Sequence, residues 1–66
     1  MKLREDIKDW QLAKIMFGKN TQPECKIVKK LRKKVLTLSE DYGEGCYLVN
    51  VEGEDLGWIM FAEMFS

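Results

Sequence analysis

A chain of 66 residues that is 45% hydrophobic and 33% charged describes one small folded domain, too apolar for disorder and too short for a second domain or a deep catalytic cleft. Eleven basic residues against eleven acidic ones leave no global field to draw it to nucleic acid or membrane. Two cysteines, Cys25 and Cys46, with no histidine anywhere, fall short of the roughly four ligands of a zinc site and lack the base that thiol catalysis needs. No metal, cofactor or catalytic residue is therefore expected. Cys25 beside Lys26 is conceivable as a reactive thiol, but a structural cysteine is the plainer reading. No apolar run approaches the roughly 18–20 residues of a membrane helix and no leader pattern is visible. Free thiols then point to a cytoplasmic protein.

In chain order, "KLREDIKDWQLAKIMFGKN" carries Leu3, Ile7, Trp10 and Phe17 at helical spacing, acids early, and Gly18 and Asn20 as stop signals. The pattern predicts a helical turn over 3–9 and leaves 11–17 open between helix and strand. The middle stretch, "TQPECKIVKKLRKKVLTLSE", forks. As a helix it has a Thr21/Glu24 capping box, Pro23 in the first turn, and Val28, Leu31, Val35 and Leu38 on one face. As strands it divides into "CKIVKKL" and "KVLTLSE" around a basic turn. Beyond it, "EDYGEG" and "EGED" read as turns, and "CYLVNV" and "LGWIMFA" as strands. A hairpin over 46–62 follows, extended by "KVLTLSED" into a three-stranded meander.

The order of elements over residues 26–65, with Gly57, Trp58 and Ile59 at a "GW-hydrophobic" element and Ala62 to Met64 as a closing turn, resembles the bacterial SH3-like domain. That resemblance implies a mainly β fold: a single domain over 1–66, with a short N-terminal helical extension over 1–20 and a small SH3-like barrel over 26–65. The alternative is an α+β fold with a basic helix over 22–36 packed on the C-terminal hairpin. The polyproline groove of eukaryotic SH3 domains has no counterpart. Nothing resembles its ALYDY stretch, Cys46 stands where its tryptophan is expected, and Met60 and Glu63 replace its proline and tyrosine.

Strand alternation with Tyr47, Val49 and Val51 facing inward turns Cys46, Leu48 and Asn50 outward. With Ile59 and Phe61 placed in the core, Leu48, Trp58 and Met60, together with Met64, become the surface that a partner would contact. The other reading is that the N-terminal segment folds over this face and buries it. Six of the nine residues from Lys26 to Lys34 are basic, whereas 40–55 holds six acids and no base. Lys29, Lys30, Arg32, Lys33 and Lys34 form a possible electrostatic contact, read as a solvated hairpin or a site for an acidic protein in preference to nucleic acid. The acidic turns have neither EF-hand nor glycosidase spacing. The expected function is a non-enzymatic binding module for one protein partner, in the style of small inhibitors or adaptors of bacteria and their phages. The alternatives are a nucleic-acid-associated protein using the basic run 26–34, and a structural homodimer subunit. No membrane partner is expected.

Overall fold

Helix begins later in the chain than the spacing of Leu3, Ile7 and Trp10 suggests. In the computed structural model, which describes residues 1–65, helices α1 (Asp9–Phe17) and α2 (Gln22–Arg32) precede strands β1 (Leu36–Gly43), β2 (Cys46–Val51) and β3 (Trp58–Phe61) and a 3₁₀ turn, Ala62–Met64. The helical turn expected over 3–9 does not form. Leu3 pairs with Phe65 in an antiparallel bridge, and Met1 exchanges two 2.9 Å backbone hydrogen bonds with Leu36. Arg32 explains why the intervening chain stays out of a helix. Its guanidinium donates to the carbonyl of Arg4 at 2.7 Å, to the carbonyl of Ile7, and to Asp9 Oδ1 at 2.6 Å. The Arg4 carbonyl is one that a helix over 3–9 would have used for its own ladder, accepting from the Lys8 N–H.

Residues 11–17, open in the sequence, are helical. Leu12 and Ala13 on α1 are buried, and Gly18 ends the helix at φ 71° with its N–H donating to Lys14 O at 2.9 Å. A left-handed residue at this position is the common C-terminal cap, and glycine adopts it without steric cost. Helix α2 starts where the capping signal places it. The backbone N–H of Thr21 donates to Glu24 Oε1 at 3.2 Å, and Pro23 sits in the first turn. Val28 and Leu31 point into the core.

The barrel expectation is corrected at this point. Residues 26–32, which the SH3-like reading makes a strand and its basic turn, belong to α2, and the sheet is an open antiparallel one in the order β1-β2-β3. The cap, the proline and the buried pair Val28 and Leu31 outweigh the β preference of Ile27 and Val28, because propensity is a weak prior against packing. The architecture is α+β. Relative to the α+β alternative, the helix is shorter, ending at Arg32 rather than at residue 36, and the sheet has a third strand. That strand is β1 of the meander, paired with β2 from Leu36↔Val51 to Gly43↔Cys46 with irregularities at Ser39 and Tyr42.

The β1–β2 loop is two residues, Glu44 and Gly45, both with positive φ (57° and 75°), as a type I′ hairpin turn requires. The two helices cover one face of the sheet. Between them lies the core: Leu12 and Ala13 of α1, Val28 and Leu31 of α2, Leu36, Val49, Val51 and Met60 of the sheet, with Leu3 and Met64 closing the ends.

Candidate functional site

The register of β2 on β3 decides which side chains reach the surface. Directly opposed residues of an antiparallel pair lie on the same face, and the pairs are Cys46↔Phe61, Tyr47↔Met60, Leu48↔Ile59 and Val49↔Trp58. Val49 and Val51 face the helices, as alternation along β2 predicts, and both are buried. Met60 and Trp58 must therefore face inward too. Met60 is fully buried, and Trp58 packs edge-on against Phe17 of α1 with ring centroids 5.9 Å apart. Met64 is also wholly buried, and its sulfur accepts the Phe61 N–H at 3.5 Å.

This corrects the contact surface drawn through Trp58, Met60 and Met64. The N-terminal segment folds over that side and makes it core. A slip of one residue in pairing moves every side chain to the opposite face, and the sequence reading of β3 is off by one. Ile59 and Phe61, expected inside, are 51% and 40% exposed. Of the four partner-contact residues named from sequence, Leu48, Trp58, Met60 and Met64, Leu48 alone lies on the outer face, half-buried.

The outer face carries Cys46 and Phe61 at one end and Leu48 and Ile59 at its middle, with Glu40 of β1 directly opposite Leu48. Leu48 leans over Gly57. A Cβ at residue 57 would lie 2.8 Å from Leu48 Cδ1, so glycine at this position lets the leucine lie flat. Beside Phe61 an open notch of about 280 Å³ is lined by Glu44, Gly45, Phe61, Ala62 and Glu63. Glu44 holds its place in the notch with a left-handed backbone, a conformation that costs a residue with a Cβ roughly 1–2 kcal/mol. Desolvation, with Glu40 close by, pushes the Tyr42 phenol above its ordinary range. Neither Glu44 nor Glu63 stands out in the sequence as more than a turn residue. What brings them together is the approach of the β1–β2 turn to the end of β3, a tertiary contact that no local motif displays.

The basic run divides. Arg32 turns inward onto Asp9 and two carbonyls, and Lys34 lies 3.7 Å from Glu54. Lys29, Lys30 and Lys33 stay exposed, as does Lys26. Cys25 and Cys46 are free thiols of intermediate burial. Among the described residues no helix is long and apolar enough to cross a membrane. Comparison with family models, with curated proteins and with solved structures finds no match to this chain.

Proposed function

We propose that the chain is a small non-enzymatic binding module that engages one protein partner through the outer face of its sheet. The observation that carries this reading is the exposure of Ile59 and Phe61, 51% and 40%, on a strand whose alternate residue Met60 is fully buried. Adjacent apolar side chains rimmed by charge mark interaction sites.

The chemistry of the rim favours one kind of partner. Glu40 flanks the apolar strip and Glu44 and Glu63 wall the notch beside Phe61, so a fitting partner presents an apolar side chain next to a lysine or arginine. Pairing two copies of this face about a two-fold axis would bring acid towards acid, which disfavours a homodimer.

The test is partner capture by the immobilised chain. Capture should disappear with the double variant Ile59→Ser/Phe61→Ser and with Glu44→Lys/Glu63→Lys, each still folded by a cooperative thermal melt. A hot-spot side chain contributes about 2 kcal/mol, roughly thirtyfold in affinity. Capture that survives both variants contradicts the proposal. Sedimentation showing a dimer that Ile59→Ser/Phe61→Ser dissolves would assign the face to self-association instead.

A further inference from the structure

We propose that the outward face of α2 binds the phosphate backbone of double-helical nucleic acid, without reading base sequence, through Lys26, Lys29 and Lys30 and the C-cap residue Lys33, which keeps helical backbone angles. At 3.6 residues per turn these four positions, spaced i, i+3, i+4 and i+7, fall within an arc of roughly 100°. All four are exposed, and Val28 and Leu31 on the opposite side are buried. The gathering depends on helix. In the hairpin reading, alternation would have divided the lysines between two faces, and only the folded chain brings them into one stripe.

Within that stripe Lys26/Lys30 and Lys29/Lys33 are like-charge pairs at i, i+4, and Lys26/Lys29 and Lys30/Lys33 are like-charge pairs at i, i+3, an arrangement that destabilises a helix. Among the described residues none of the four enters a salt bridge. Placement near the helix C-terminus offsets part of the repulsion for Lys29, Lys30 and Lys33, but not for Lys26. A polyanion would relieve all of it.

Other polyanions fit less well. The stripe contains no exposed apolar side chain, so it lacks the anchors on which a protein interface is centred, and lysine is depleted in interface cores. A membrane surface is engaged by an amphipathic helix whose apolar face enters the lipid, and here that face is committed to the core. Arg32, the one guanidinium in the run, is turned inward, which leaves point charges without the bidentate fork that reads guanine. Backbone contact without sequence choice is what remains. The proposal is independent of the sheet face.

Fluorescence anisotropy with a labelled duplex DNA of about 20 base pairs and the full chain tests it. Binding near physiological salt is expected in the non-specific range of about 10⁻⁴–10⁻⁶ M. Four lysines should give a slope of log K against log salt of about −3.6, roughly a hundredfold loss from 50 to 200 mM. K29Q/K30Q should reduce the slope by about 1.8 while melting no lower than the wild type. Ile59→Ser/Phe61→Ser should bind the duplex unchanged, which separates this face from the sheet. Absence of binding at 50 mM salt with protein up to about 100 μM, the weak end of that range, overturns the proposal. So does binding that K29Q/K30Q leaves intact, or capture by phosphatidylserine vesicles without capture by DNA.

Discussion

Helix α2 and strand β3 each carry a row of apolar residues and dispose of them differently. Helix α2 turns Val28 and Leu31 into the core and gives solvent only lysines along its outer stripe. Strand β3 buries Met60, leans Trp58 on Phe17, and leaves Ile59 and Phe61 outside. A helix of this kind has one face to hide and the sheet is enough to hide it, whereas the sheet of this two-layer fold has a second face that none of the described residues covers. The contrast teaches that apolar content alone does not say which side chains are core and which are exposed; pairing parity does.

The comparison breaks most decisively at the buried side of β3. Truncation of a fully buried methionine costs about 2–5 kcal/mol, which consumes most of the roughly 3–5 kcal/mol that a core this small supplies. Met60→Ala should therefore be largely unfolded by denaturant titration, whereas Ile59→Ala, one residue away, should lose less than about 1 kcal/mol.

Arg32→Ala comes next. Removing the guanidinium strands the Asp9 carboxylate and the carbonyls of Arg4 and Ile7 in a partly buried site, a loss of about 2–3 kcal/mol. Arg32→Lys should rescue little of it, because an ammonium cannot reproduce a three-way fork. Equal stability of Arg32→Ala and the wild type by thermal melt would show that Arg32 is one more solvated base of the run.

A smaller effect, of opposite sign, sharpens the comparison from the sheet side. Glu44→Asn places a residue suited to positive φ in the two-residue turn and should raise stability by about 1 kcal/mol while weakening partner capture. Smallest of all is the helix surface. K29Q/K30Q should stay within about 0.5 kcal/mol of the wild type in chemical denaturation, since nothing in the fold depends on those two charges.

Much of the local structure is legible in the residues. The Thr21/Glu24 cap, the Gly18 stop, and the meander turns around Gly43–Gly45 and Glu52–Gly57 all rest on short-range chemistry that a sequence displays. What is not legible depends on distance in space. Whether "CKIVKKLR" becomes strand or helix is settled by the burial of Val28 and Leu31 against Leu12 and the sheet. The inward turn of Arg32 depends on where the chain from Arg4 to Asp9 comes to lie. The facing of β3 hangs on whether the pairing across the 52–57 turn sums to an odd or an even number, which no residue in β3 reports. That one parity moved the candidate site from Trp58 and Met60 to Ile59 and Phe61, and left Leu48 as the residue common to both.

Hydroxyl-radical footprinting of the folded chain, with labelling resolved residue by residue over 58–61, tests the facing of β3 most directly. Ile59 and Phe61 should be labelled and Met60 protected, even though methionine is intrinsically the more readily oxidised. Labelling of Met60 with protection of Ile59 and Phe61 would reverse the faces, return the core to Ile59 and Phe61, and remove the surface on which the proposed binding module depends.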